Sequence, residues 1–560
     1  MDYQTYNIIA IVLSVLNAIS LSFMAYKFVH TYQLNNYHMT RLVNWFRRTN
    51  GKYWSRLFLV SILSLAGLLV ANVLFASHGK GVLSYIGLAF YFSMVIWFVV
   101  GEASVPKKKP IVFTNRIRRL YVTLFVVVAL ATYGLMMAVY GASMIGGGEP
   151  GPLESHLRFV IVGLTPVILP IYVLVAIFIN FPFEEIRRKM YISTATKKLQ
   201  KYTNLIKIGI TGSYAKTSVK NILKAMLSVR YKVLASKGSY NTPLGNVITI
   251  SKLKPSHDVL IAEMGARNVG QIKELCDMVR PNIGIITGIT GQHLETFGTI
   301  DNIIKCKREL FDSLDDGGVA FVNGDSEYAD RLIDDRVETV LSGGDDGVVR
   351  AKNVTIDKNG SQFDLVIGDD VRRVRTSMLG KHNVSNIVLA SAVAHRLGIT
   401  IDEIALVIPT LKATEHRLEL RHNTNGITVI DDTFNANITG SRASLEVLGY
   451  FDSRRIIVTP GLVELGDREE VENYNLGVEI SKVCDLVVLI GTIRTQPIYR
   501  GLEESGYDMD NVLVYDTLNE AKQDFSAIFR VGDTVLLEND LPDDYSEVEM
   551  PKKKGKRTSK

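Results

Sequence analysis

The chain is 560 residues long, more than one hydrophobic core usually supports, so about three or four domains are expected. Hydrophobic residues make up 47% of it and the mean hydropathy is +0.15, high for an enzyme wholly in water, and the excess lies in the first third. Cys276, Cys306 and Cys484 are far apart and form no CxxC or Cys/His cluster, which argues against a zinc site or a disulfide framework and fits a reducing compartment. The formal net charge of +6 is modest, and the basic residues gather beside apolar segments and in the tail from Pro551, as they do at a membrane surface rather than in a nucleic-acid groove.

Five apolar stretches reach the roughly 20 residues that a bilayer requires: Tyr6 to Tyr26, Leu57 to Ser77, Gly81 to Val100, Leu120 to Ile145 and Phe159 to Phe181. An α-helical membrane domain over residues 1–181 is therefore expected. Lys27, Arg41, Arg47, Arg48, Lys52 and Arg56 lie between spans one and two, and Lys107, Lys108, Lys109, Arg116, Arg118 and Arg119 between three and four. The remaining connections are poor in Lys and Arg, so the positive-inside rule puts the N-terminus outside and everything after the fifth span in the cytoplasm. Lys27 and Glu102 lie only at span ends, so nothing marks an ion path, and an anchor is expected rather than a transporter. Residues 182–204 read as a juxtamembrane linker, with Met190, Tyr191 and Leu199 among basic residues as in an interfacial helix.

From residue 205 onward, β-type runs alternate with helical patterns, which predicts two α/β domains over 205–411 and 412–545, then a basic tail over 546–560. The first strand candidate, Leu205-IKIGI, passes through a turn with Gly212 into a helical pattern from Lys216-Thr217-Ser218. A strand that delivers such a turn to a helix N-terminus makes an anion site, because free N–H groups and the helix dipole face the turn. Phosphate is the expected occupant, with Lys216 on its terminal groups and the hydroxyl of Thr217 or Ser218 on Mg²⁺. Glu263, His293 and Asn241 fall at the ends of later strand candidates, where parallel sheets hold their ligands. The last α/β segment lacks a GxGxxG fingerprint, so no dinucleotide is indicated.

GITGSYAKTSVK, NTPLGN, AEMGARNVGQI, TGQHLETFG, CKRELF, LGKHNVSN, EHRLEL and DDTFNAN, in that order over Lys207 to Asn539, resemble the successive motifs of the Mur ligase family. The resemblance implies a P-loop-like central domain, a Rossmann-like C-terminal domain, and ATP and Mg²⁺ as cofactors. It further implies an ATP-dependent ligase that joins a carboxylate to an amine through an acyl phosphate at a bacterial membrane. Addition of D-alanyl-D-alanine or a related amine to a cell-wall peptide precursor is expected; a poly-γ-glutamate synthase-like ligase and a non-catalytic ATP-binding scaffold are the alternatives.

Carried over by position, Gly212, Ser213, Ala215, Lys216, Thr217 and Ser218 form the phosphate loop, and Thr217, Glu263 and His293 hold metal. Asn383 faces adenine, Arg417 reaches back to ATP, and Asp432 holds the ribose or orients the last domain. Asn241, Thr242, Asn435 and Asn437 lie on the substrate side. Lys307, or else Lys305, is the lysine that the family carbamylates.

Three departures stand out. Ala215 replaces the family's usual Gly, the membrane domain stands where a UDP-sugar-binding domain is usual, and Glu538-Asn539-Asp540 occupies the place of a basic Lys-Gly-Ser-Arg turn. The substrate is accordingly expected to be lipid-linked, or a small molecule other than the usual muropeptide.

Overall fold

The computed structural model describes residues 3–35, 37–48, 52–74, 82–104, 110–145, 152–291, 294–333, 336–422, 426–434 and 436–541. They fall into two compact units that divide at Arg187/Arg188.

The first unit is helical: α1 (Tyr3–Met24), α2 (Tyr26–Leu34), α3 (Met39–Arg48), α4 (Lys52–Leu74), α5 (Val82–Ala103), α6 (Asn115–Ile145) and the start of α7 (Pro152–Gln200). Among the described residues, four helices are long and apolar enough to cross a membrane, at Tyr3–Met24, Ile86–Ala103, Asn115–Ile145 and Phe159–Gln200. The expected span Leu57 to Ser77 falls on α4, whose described apolar part, Tyr53–Gly67, is shorter. The linker expected at 182–204 continues α7 as helix to Gln200, with Pro166, Pro170 and Pro182 inside it. The Lys107–Lys109 cluster and the tail from Pro551 lie outside the described residues.

Large apolar side chains such as Ile8, Ile11, Val12 and Phe23 point outward on α1, a surface suited to lipid rather than water. Inside, Asn17 ties four helices together. Its Nδ2 donates to Thr132 Oγ1 (3.0 Å), and its Oδ1 accepts from Tyr91 (2.8 Å) and Thr165 (3.1 Å), so a polar group in an apolar core has its hydrogen bonds met. At the span ends Glu102 pairs with Arg56 (2.7 Å) and Glu184 with Arg119 (2.6 Å).

The second unit carries two sheets. Strands β1 (Ile206–Thr211), β2 (Val233–Ala235), β3 (Val259–Glu263), β4 (Ile283–Ile286), β5 (Val319–Asn323), β6 (Glu338–Ser342), β7 (Val349–Asp357), β8 (Gly360–Ile367) and β9 (Asp370–Thr376) form one sheet in the order β2-β3-β1-β4-β5-β6-β7-β8-β9. Pairing is parallel up to β7 and antiparallel through the β7-β8-β9 meander. The helices of this part are α8 (Lys216–Leu227), α9 (Pro243–Ser251), α10 (Gln271–Val279), α11 (Leu294–Phe297), α12 (Ile300–Arg308), α13 (Lys381–Arg396) and α14 (Ile401–Val407). β3, β4 and β5 are buried along their whole length, as befits strands covered on both faces.

The second sheet contains β10 (Glu419–His422), β11 (Thr428–Asp432), β12 (Arg455–Thr459), β13 (Leu486–Ile490), β14 (Val512–Tyr515) and β15 (Thr534–Glu538), in the order β10-β11-β15-β12-β13-β14. All its pairs are parallel except β10-β11. Its helices are α15 (Ile438–Leu448), α16 (Glu469–Ile480), α17 (Gln496–Glu504) and α18 (Leu518–Ile528). The expected alternation of strand and helix thus yields two mostly parallel sheets. β6 to β10 go beyond the expected strands.

Candidate active site

β1 ends in a turn that only glycine fits. Gly212 has φ 147°, and a Cβ there would fall on the hydroxyl of Thr287. The next amide, of Ser213, donates to Gly288 O (2.8 Å), and the Ser213 hydroxyl to Thr290 O (3.2 Å), so the segment after β4 grips the loop. Ala215 caps α8 in the left-handed conformation (φ 59°, ψ −2°), without a side-chain cap. For a residue with a Cβ this costs about 1 kcal/mol. The first turn of α8 then offers its amides and the positive end of its dipole to the loop.

Lys216 Nζ curls back to Gly212 O (2.6 Å) and Ser213 O (3.3 Å). Burial, reinforced by Lys307 and Arg417 and opposed by Glu263, lowers its pKa to about 7.

Glu263, at the end of β3, is 1% exposed and collects donors from three residues on two segments. Thr217 Oγ1 lies 3.1 and 3.0 Å from its two oxygens, Asn241 Nδ2 is 3.4 Å from Oε1, and Lys220 Nζ is 2.8 Å from Oε2. Lys220 is fully buried and also donates to Gly238 O, so it links α8 to the segment that carries Asn241. The sequence reading missed it. Its spacing of four from Lys216 puts both on one face of α8, and that periodicity could have found it. Ser218 is buried beside Thr217, and the Thr242 hydroxyl is engaged as the N-cap of α9, accepting from Gly245 N (3.3 Å).

The two candidate lysines, Lys305 and Lys307, separate cleanly. Lys305 is exposed on α12, whereas Lys307 is 3% exposed, and burial lowers its pKa. Lys307 is also the neighbour that Lys216 feels most strongly. His293 lies outside the described residues, as does Asn435.

Asn383, in the first turn of α13, is buried and donates to Leu379 O (2.8 Å). Ser385 donates to Asn323 Oδ1 (3.0 Å) and Asp325 Oδ2 (2.5 Å), which adds a polar group from the end of β5 that sequence reasoning did not single out.

Arg417 stands between two strained residues, His416 (φ 60°) and Leu418 (φ 48°), an arrangement that directs its side chain and marks a constrained turn. Its guanidinium lies 4.3 Å from the centroid of the Phe434 ring, and its charge is felt by Lys216, Lys220, Glu263 and Asp432. Asp432 accepts from Leu418 N (3.3 Å) and Ser444 Oγ (3.0 Å), and burial raises its pKa to about 6. Asn437 caps α15, accepting from Gly440 N (3.0 Å).

The structure therefore brings Gly212, Ser213, Lys216, Thr217, Glu263, Lys307 and Arg417 around one point, with Asn241 beside them. Among the described residues, Lys216, Lys220 and Arg417 share the field of the buried Glu263 carboxylate, Lys216 also feels Lys307, and Arg417 also feels Asp432. Positive charge gathered where water is largely excluded suits an anionic ligand. Thr217 and Glu263 supply the hard oxygen donors that Mg²⁺ prefers, so the residues fit that ion.

Comparison with known proteins identifies the domains that carry these residues. The Mur ligase middle domain matches residues 210–394, and the Mur ligase glutamate ligase domain matches residues 416–538. The UDP-N-acetylmuramoyl-tripeptide--D-alanyl-D-alanine ligase of Mycobacterium leprae is 30% identical over 365 residues, which cover 59% of this chain and 70% of that protein. The Escherichia coli ligase of the same name is 28% identical over 290 residues, 51% of this chain and 64% of the relative, so the chain spans a little under two thirds of it. Crystal structure I of MurF from Acinetobacter baumannii shares the fold with a TM-score of 0.59 at 24% identity, covering 65% of this chain and 79% of that one. MurF ligase from Thermotoga maritima in complex with ADP gives 0.56 at 24% identity, covering 63% and 80%.

Proposed function

We infer an activity from the premise that this chain belongs to the Mur ligase family: it is an ATP-dependent carboxylate–amine ligase that adds D-alanyl-D-alanine or a related amine to a cell-wall peptide precursor. The observation that carries this is the cationic basin at the end of β1. Lys216, at the mouth of the left-handed loop, and Arg417, from the neighbouring sheet, would bind the terminal phosphates, and buried lysines whose pKa values are already depressed would regain full charge against them. Thr217 and Glu263 would hold Mg²⁺, with His293 as a further ligand, and the ion would neutralise phosphate charge there.

ATP supplies the phosphoryl group that turns the substrate carboxylate into an acyl phosphate; attack by the amine then expels phosphate and leaves an amide and ADP. Phosphoryl transfer of this kind needs placement and charge neutralisation more than a protein nucleophile. The chain's part is to place. Lys216 and Arg417 orient phosphate, Asn383 faces adenine, and Asp432 fixes the turn that carries Arg417 through its bond to Leu418 N (3.3 Å). Lys307 is the lysine to be carbamylated: its burial favours the neutral amine that reacts with CO₂, whereas Lys305 lies exposed on the surface of α12. Asn241, Asn435 and Asn437 face the carboxylate and amine substrates.

The apolar helices before Arg187 support membrane anchoring, and the basic loops between the expected spans are the ground for an orientation with the N-terminus outside and both sheets in the cytoplasm. A substrate held at the membrane by a lipid suits that arrangement.

The test is product analysis. Full-length protein in detergent is given ATP, Mg²⁺ and nucleotide- or lipid-linked muropeptides, with D-alanyl-D-alanine, single amino acids or free glutamate as amine, and amides are sought by mass spectrometry. An amide formed with the dipeptide supports this reading; stepwise addition of glutamate, or no amide with any pair, contradicts it.

A further inference from the structure

The phosphate loop contains a strained residue and, beside it, an aromatic one with no role in the reaction described above. The ring of Tyr214 sits where the Cβ of residue 288 would be, so its phenol packs directly on the backbone of Gly288. Burial raises the Tyr214 pKa, and Ser326 lies beside the hydroxyl. The Tyr214 carbonyl is held as well, accepting from Thr287 Oγ1 at 2.5 Å. Immediately after these two anchors comes Ala215, at φ 59°.

An alanine left to itself abandons that conformation for the right-handed or extended regions, by roughly fivefold in population. A loop that drifts so would turn the α8 amides away from phosphate. Freezing the preceding residue by ring and carbonyl together removes the freedom through which Ala215 would relax.

We propose that Tyr214 is a positioning residue, which pins the phosphate loop against Gly288 and holds Ala215 left-handed, so that a residue with a Cβ can do what glycine does by conformational freedom. The proposal rests on the reading of this loop as a nucleotide site. It predicts an interaction between positions 214 and 215 that a ring merely filling space would not produce.

The experiment is a double-mutant cycle on the full-length protein with Tyr214→Ala, Ala215→Gly and the pair, reading Mg·ADP affinity by calorimetry and the melting temperature without nucleotide. Tyr214→Ala should weaken Mg·ADP about fivefold, Ala215→Gly should restore the affinity of that variant to within twofold of the native value, and Ala215→Gly should strengthen binding less in the native protein than in that variant. The melting temperature should show the same rescue. If Ala215→Gly acts by the same factor with and without the ring, or Tyr214→Ala leaves both readouts unchanged, the proposal is overturned. Should Tyr214→Ala not fold, Tyr214→Leu, which keeps bulk but not the phenol, completes the cycle. If the native protein does not bind Mg·ADP, the nucleotide reading fails, and the melting-temperature cycle alone decides the role of Tyr214.

Discussion

Replacing Glu538 by Gln should stabilise this protein above neutral pH, although it removes a charge at the end of a central strand. Glu538 is fully buried and stands in register with Asp432 on the adjacent parallel strand, so both carboxyls face the same side of the sheet. Its Oε2 accepts from Thr459 Oγ1 (2.9 Å), its Oε1 has no hydrogen-bond partner, and no cation pairs with it among the described residues. Burial, with Asp432 adding to it, raises its pKa to about 7, whereas an unfolded chain titrates it near 4.5.

The raised folded value fixes the sign. Its contribution is fully present below pH 4.5 and is lost as pH rises towards 7, because the unfolded chain gives up the proton first. Two and a half pH units at 1.36 kcal/mol each bound the loss at about 3 kcal/mol. An amide keeps the acceptor for Thr459, offers a donor to the unpartnered Ser441 hydroxyl, and carries no charge at any pH. Thermal unfolding of full-length protein and Glu538→Gln at pH 5 and pH 8 is the assay. The variant should match the native protein at pH 5 and melt several degrees higher at pH 8. A variant equal or less stable at pH 8 would mean that Glu538 is charged and paired, and would refute the reasoning.

Lys220→Met should destabilise by about 3–5 kcal/mol, since it leaves Glu263 buried without its closest cation; adding Glu263→Gln should recover part of that, read from melting temperatures. Gly212→Ala should lose Mg·ADP binding by more than tenfold, measured by calorimetry, because its Cβ displaces Thr287 and its φ of 147° disfavours any side chain. Lys307→Arg should abolish phosphate release, since a guanidinium cannot be carbamylated, whereas Lys305→Arg should stay within about twofold of native. His382, half-buried with its Nδ1 shielded and unpartnered and its pKa lowered to about 4 by desolvation, holds its stability above pH 6.5 and loses it as pH falls towards 4; His382→Asn should flatten that acid limb of the melting curve.

The central strands were legible because their near-continuous apolar runs have one explanation, burial on both faces. β9 was not, because Arg372, Arg373 and Arg375 interrupt its pattern at a sheet edge, and β7 carries a register shift between Lys352 and Thr355 that breaks the alternation. At the site, spacing and motif order found Lys216, Thr217 and Glu263, whose chemistry is local to a strand end. Lys220 and Tyr214 escaped notice because their roles come from tertiary burial: a lysine at the next helical turn reads as a solvated face until Glu263 is placed against it. Ala215 is the converse case. A substitution visible in the sequence acquires its meaning from φ 59°.

The most direct measurement of the account is phosphate release from ATP by full-length protein with Mg²⁺ and a muropeptide carboxylate, with and without D-alanyl-D-alanine, beside Lys216→Ala. Release that requires both the carboxylate and the amine and disappears in the variant is the predicted result. Mg·ATP binding with no amine-dependent release under any pairing would contradict it, and would make the loop a nucleotide sensor instead.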